Sequence, residues 1–321
     1  MINRKILILF LSLIQIFGQE KNIEEIYLEG LITDKKQEIS GMDWYQDRLF
    51  LLPENLGGFL FTISKIEILS AINKKDKKPI TPKQTRFLTP DYSKTIPGFD
   101  GFEAISFNNN EVFISIEAEE NGIMCGYVGW GEINPRTLEI QIKDENIKKL
   151  NTPIQIENMS FESLLFHNEN LIMIYEANGL NLQKKIKQTI FSTKRNTISY
   201  IDFENIEYRI TDVTKIDKHN KFWGINYFWP GDEKLLMPSK DFILNRFIEG
   251  KSHSQSKAVE RLIEFEIKDN KIILSNINPI QLVLDSDNSR NWEAIARLDD
   301  KGFLIATDKY PKMILGFVPF N

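Results

Sequence analysis

The chain has 321 residues, 42% of them apolar, with 45 acidic against 40 basic side chains and a formal net charge of −5. That balance does not suit non-specific binding to nucleic acid, and the single cysteine, Cys125, excludes an internal disulfide and a cysteine-based zinc site. The 22 Phe and abundant Ile favour strands over helices, so an apolar core has to hold the domain together.

At the N-terminus, Arg4 and Lys5 precede the apolar run Ile6 to Phe17, and small Gly18 follows it. The run is short for a bilayer span and has the layout of an export signal. Residues 1–19 are therefore read as a signal peptide and 20–321 as one domain, with retention as an N-terminal anchor as the alternative. No Cys follows the run, which argues against a lipid anchor. The expected location is periplasmic or extracellular, with no membrane contact beyond this segment.

Beyond it, one hairpin unit recurs. It runs from Ser40 to Trp44 and returns from Leu49 to Glu54. Later copies are Glu103 to Phe107 with Val112 to Glu117, Glu162 to Phe166 with Leu171 to Glu176, Asp212 to Ile216 with Phe222 to Tyr227, and Glu293 to Arg297 with Phe303 to Asp308. Third strands are expected at Phe59 to Ile68, Ile123 to Ile133, Thr197 to Phe203, Arg261 to Ile267 and Met313 to Phe317. Fourth strands are expected at Gln84 to Leu88, Leu138 to Ile142, Ile206 to Ile210 and Lys271 to Ser275. The last copy lacks a fourth strand, which Ile23 to Ile32 can supply. The fold class is thus all-β: a β-propeller of about five four-stranded blades, its ring closed by an N-terminal strand. A two-sheet sandwich is the alternative, but it would not call for the same polar residue at one register five times.

In such a fold the first strands line a central channel. Ser40, Glu103, Glu162, Asp212 and Glu293 then form one ring at its mouth, and Glu54, Glu117, Glu176, Tyr227 and Asp308 a second ring around it. So many carboxylates repel one another, and some are pushed toward the protonated form. A divalent cation relieves that repulsion. Ca²⁺, which takes six to eight oxygen ligands, suits carboxylates and a serine hydroxyl, whereas the lack of His and Cys here argues against zinc or copper. Acids that are simply solvated, or bonded to backbone N–H groups, are the other reading.

Two long loops above this face, Asn178 to Asn196 and Pro230 to Glu260, are rich in Lys, and Arg290 lies three residues before Glu293. Cations there suit a small anionic substrate. The run from Asn73 to Lys78 reads as a solvated loop, the five Trp as packing between blades, and His167, His219 and His253 as turn or loop residues without the partners of a hydrolytic triad.

The segments Ile39 to Asp43, Gly101 to Ser106 leading to Glu117, Ser160 to Leu164 leading to Glu176, and Asn291 to Ile295 leading to Asp308 resemble the bacterial phytase-like propellers (the "esterase-like activity of phytase" domain) over Ile39 to Phe317. The acidic ring is also similar to that of the calcium-activated nucleotidases (apyrases), five-bladed propellers that hold Ca²⁺ in the channel with Glu and Ser. Asp212 departs from that pattern, in which Ser is usual. The resemblance implies Ca²⁺ held by Ser40, Glu103, Glu162, Asp212 and Glu293. The leading expectation is a calcium-dependent hydrolase of a phosphoester or related ester, with water activation by the second-ring Glu117 or Glu176 and with Arg290 and loop lysines holding the anion. The competing expectation is a non-catalytic propeller with structural calcium that binds a carbohydrate, peptide or protein. A monomer is expected in either case.

Overall fold

The computed structural model describes residues 17–73, 78–285 and 289–320. Most of the expected signal segment and of the 73–78 lysine run lies outside these residues. Among the described residues no helix is long and apolar enough to cross a membrane.

The architecture is a five-bladed propeller. Blade 1 is built from Ile39–Tyr45, Arg48–Pro53, Phe59–Ser64 and Lys83–Leu88. Blade 2 is built from Phe99–Asn108, Glu111–Glu120, Ile123–Ile133 and Ile140–Asn151. Blade 3 comprises Phe161–His167, Asn170–Tyr175, Ile186–Ser192 and Thr197–Phe203. Blade 4 comprises Arg209–Val213, Lys221–Phe228, Val259–Lys268 and Lys271–Leu274. Blade 5 takes Trp292–Leu298, Gly302–Thr307 and Leu315–Pro319 from the C-terminus. Its fourth strand is Glu24–Ile26, paired antiparallel to Leu315–Pro319, so the N-terminal stretch closes the ring as expected. The five first strands neighbour one another in a closed circle around the channel.

Each blade is covered on both faces by its neighbours, which is why runs such as Leu49 to Leu52 are apolar at successive positions instead of alternating. Five apolar clusters fill the five interfaces between adjacent blades. Each interface buries a phenylalanine almost completely: Phe50, Phe161, Phe265, Phe303 and Phe61. One such side chain contributes roughly 1.5–3 kcal/mol. Trp130 packs on Phe191 and Trp223 on Phe303, at 5.1 and 5.2 Å between centroids. Trp229 departs from the packing expectation: it is 51% exposed.

Three local readings change. The third strand of blade 1 ends at Ser64, and Lys65–Asn73 is a helix. Its start is a reciprocal cap, in which the Ser64 N–H donates to Glu67 Oε2 (3.0 Å) and the Glu67 N–H to Ser64 Oγ (3.3 Å). The loop expected over Asn178 to Asn196 contains a strand, Ile186–Ser192, so Thr197–Phe203 is the fourth strand of blade 3 instead of the third. Lysines mask that strand, yet Gln188 and Thr189 within it are buried, and Gln188 Oε1 accepts the Tyr175 N–H at 2.7 Å. Finally, part of the expected strand Ile206 to Ile210 belongs to the inner strand of blade 4, which begins at Arg209, three residues before Asp212.

Candidate metal centre at the channel mouth

The inner strands deliver their polar residues by a shared backbone device. Pairing slips by one residue at Ser40, Glu103, Glu162 and Glu293, each of which stands unpaired between neighbours that do pair. A bulge of this kind re-aims a side chain. In these four blades it sits at the channel mouth. Ser40, Glu103, Glu162 and Glu293 line one cavity of about 390 Å³ together with Glu54, Glu117, Asp308 and Arg209. Oxygens of Glu117, Glu162 and Glu176 lie within 4.8 Å of one another, and all three residues are buried.

Blade 4 differs. Its pairing slips between Ile210 and Val213, and Thr211, not Asp212, repeats the role of Ser40. The Ser40 hydroxyl donates to the carbonyl of Phe102, just before Glu103 (2.5 Å), and the Thr211 hydroxyl to the carbonyl of Trp292, just before Glu293 (2.6 Å). Asp212 does not line the mouth cavity. Its two oxygens accept the Val213 and Ile295 N–H groups at 2.8 and 2.7 Å. Asp43 makes the same pair of bonds, to Trp44 and Phe107, and Lys215 sits 3.1 Å from it. These two aspartates staple neighbouring inner strands together. The sequence repeat sets Asp212 in register with the ring, but the irregularity in blade 4 leaves both Thr211 and Asp212 unpaired, where the other blades leave one residue.

Electrostatics at the mouth follow from crowding. Burial, with Glu176 and Asp100 adding repulsion, pushes the Glu117 carboxyl up to about 8. Burial, with Glu38 adding to it, pushes Glu54 to about 8. Burial also lifts Glu293 to about 8 against the opposing pull of Arg209. Glu103 and Glu162 are driven well above the usual carboxylate range by burial and by neighbouring Glu residues. Burial works against the Arg209 charge, but Glu176, Glu293 and Glu162 outweigh it and keep the guanidinium charged. Its Nε bonds Glu176, and Nη2 lies 3.4 Å from Glu293. Arg209 is thus a cation of the mouth, alongside Lys309, which pairs with Glu38; the sequence points to Arg290 for that role. Arg290 instead forms a buried pair with Glu260, at 2.9 Å from Nε, and does not line the cavity. Its position in the chain pointed to the site, but its side chain turns toward the outer part of blade 4.

Of the remaining loop cations, Lys257 pairs with Glu233 and Lys194 with Glu169. His253 is buried, with Nδ1 2.9 Å from Glu20 and Nε2 accepting the Glu260 N–H at 3.2 Å, so it serves structure. Tyr227, expected in the second ring, lines an adjoining cavity instead of the acidic one.

The fold and this site define a five-bladed propeller with a buried carboxylate cluster at one end of its channel. No protein-family model matches the chain, and no curated protein matches it in sequence, so nothing supports the finer phytase-like assignment. Among solved structures it is similar to a thermostable family-43 glycoside hydrolase (10% identity, 91% of each chain covered, TM-score 0.49). It is also similar to an exo-1,5-α-L-arabinanase from a bovine ruminal metagenomic library (9% identity, 94% of each chain covered, TM-score 0.47). A third similar structure is a glycosyl hydrolase from Bacteroides ovatus (9% identity, 94% of this chain and 93% of that one covered, TM-score 0.47). These are hydrolases by description. At such values the likeness carries no argument about what this chain acts on.

Proposed function

We propose that the protein is a calcium-dependent ester hydrolase acting on a small anionic substrate, such as a phosphoester, at the channel mouth. The observation that carries this reading is the crowding of Glu103, Glu117, Glu162 and Glu293 around one cavity, with buried Glu176 within 4.8 Å of Glu117 and Glu162, and with Glu117 Oε2 and Glu293 Oε2 buried and without any hydrogen-bond partner. Buried carboxylate oxygens are costly to leave unpaired. An all-oxygen donor set with no His or Cys fits Ca²⁺.

In this reading Glu103, Glu162, Glu293 and Ser40 hold the cation, which would supply Lewis-acid polarisation of the ester oxygen when bound. Glu117, next to that group, accepts the proton of the attacking water. Glu176 orients Arg209, and Arg209, at the border of the mouth, holds the anionic group. Export of a monomer by the 1–19 segment would place the mouth where calcium is abundant.

The test is metal analysis and thermal melting of the purified protein with calcium and with EGTA, alongside turnover of p-nitrophenyl phosphate and p-nitrophenyl acetate. Glu162→Gln is expected to lose the metal and turnover together, and Glu117→Gln to keep the metal and lose turnover. A protein that retains no cation and whose melting ignores both calcium and EGTA would sink the reading.

A further inference from the structure

Beside the acidic mouth lies a second, larger cavity of about 610 Å³, lined by Arg209, Tyr227, Trp229, Asp232, Asn291 and Tyr310 among others. That volume falls within the range of small-molecule sites, roughly 300–1,000 Å³. Arg209, Asn291 and Tyr310 line both cavities, so the two adjoin. Two of the walls are aromatic rings left half open, Trp229 at 51% and Tyr310 at 56% exposure.

Trp229 is held in place. A side-chain carbon added at Gly231 would lie 2.2 Å from its indole atoms, so the ring rests directly on the glycine backbone. The Asp232 N–H donates to the Trp229 carbonyl at 3.0 Å, closing the turn beneath it. Only a glycine lets the indole approach the chain this closely. One region of the ring is packed, and about half of the residue stays available to a ligand.

Polar groups are interleaved with these rings. Asp232 is half-buried and spends its carboxylate on no helix cap. Asn291 donates Nδ2 to Asp308 (2.9 Å), which leaves its Oδ1 as an acceptor. The Tyr227 hydroxyl meets Ser289 Oγ at 3.1 Å. A fixed aromatic platform with planar carboxyl and amide groups at its rim matches a sugar ring. The C–H groups of the sugar face meet the negative face of the indole, and its hydroxyls project outward to the polar rim. A purely aryl ligand would use the platform and leave the rim unpaired.

We propose that this cavity binds a sugar ring stacked on Trp229, so that the ester presented to the mouth is carried by a carbohydrate. The link between sugar and ester rests on the hydrolase reading above; the binding of the sugar does not. Arg209, common to both cavities, would sit where the sugar joins the anionic group.

The experiment uses the whole protein and measures binding of neutral trisaccharides of glucose, mannose, xylose and arabinose by calorimetry and saturation-transfer NMR, in calcium and in EGTA. p-Nitrophenol and adenosine serve as aryl comparators. Trp229→Ala and Gly231→Ala, which pushes the indole off its seat, should each weaken the best saccharide roughly tenfold or more, the size of one lost stacking contact. Lys194→Ala, on an exposed loop of blade 3 away from both cavities, should leave saccharide binding unchanged. Binding of none of the saccharides, binding that survives Trp229→Ala in a normally melting variant, or uptake of only the aryl compounds would overturn the inference. Failure of metal binding in the same preparations would count against the mouth reading and leave the saccharide result standing.

Discussion

Glu117→Gln tests the physical basis of the site directly, without any substrate. Glu117 is 4% exposed, has an unpartnered oxygen, and faces Glu176. In the metal-free protein its carboxyl is raised from 4.5 to about 8. A carboxyl whose folded value lies above its unfolded value contributes stability that is complete below the unfolded value and is lost as pH rises through the folded one. The window is therefore about 4.5 to 8. The slope is about 1.4 kcal/mol per pH unit for one such group, or on the order of 5 kcal/mol over the window. Glu54 and Glu293 titrate in the same window. Because the carboxylates share their mutual repulsion, their losses do not simply add, and removing one eases its neighbours. A domain of ordinary stability, roughly 5–15 kcal/mol, would thus be severely weakened near pH 8 without metal. Urea unfolding in EGTA from pH 4.5 to 8.5 should show wild-type stability falling steadily, with Glu117→Gln falling less steeply, so that the two curves separate as pH rises. A flat wild-type curve, or two parallel curves, would refute the account of the mouth as a strained cluster of acids.

Two further substitutions probe residues whose side chains do not line the mouth cavity. Asp212→Ala strands the buried Val213 and Ile295 N–H groups and should cost about 2–5 kcal/mol in denaturant unfolding while calcium affinity stays near wild type; a large loss of affinity with little loss of stability would restore Asp212 as a ligand. Arg290→Met leaves Glu260, which is 1% exposed, without its charge partner. It should lower stability by about 3–5 kcal/mol with kcat/KM for the nitrophenyl esters unchanged, and a selective fall in kcat/KM would return Arg290 to the site.

The hairpin repeat was legible because propeller blades impose the same burial on successive strands, which leaves a recurring apolar run that ends on a polar residue. The same reading stumbled where a local device altered the count. Ser64 and Glu67 carry a capping box inside what reads as a continuing strand. Gln188 looks like a loop residue, yet its buried Oε1 is satisfied by the Tyr175 N–H, a bond the sequence does not display. Arg209 was missed as a site residue because its strand start was placed three residues too late. A basic residue opening an inner strand, opposite Tyr227, was the available signal. Trp229 gave no sign of being other than packing: only the bare backbone of Gly231 beneath it makes an exposed platform.

By itself, then, the amino-acid sequence determined that the chain folds as a ring of similar all-β blades closed by its N-terminus, and that Ser40, Glu103, Glu162 and Glu293 recur at equivalent points. Periodicity and residue type carry that information locally. Which of these side chains share a cavity, that Thr211 and not Asp212 repeats the Ser40 hydrogen bond, and that Arg209 brings a charge to the mouth were decided only in three dimensions. A one-residue bulge redirects a side chain, and the neighbours that set its charge come from strands far apart in the chain.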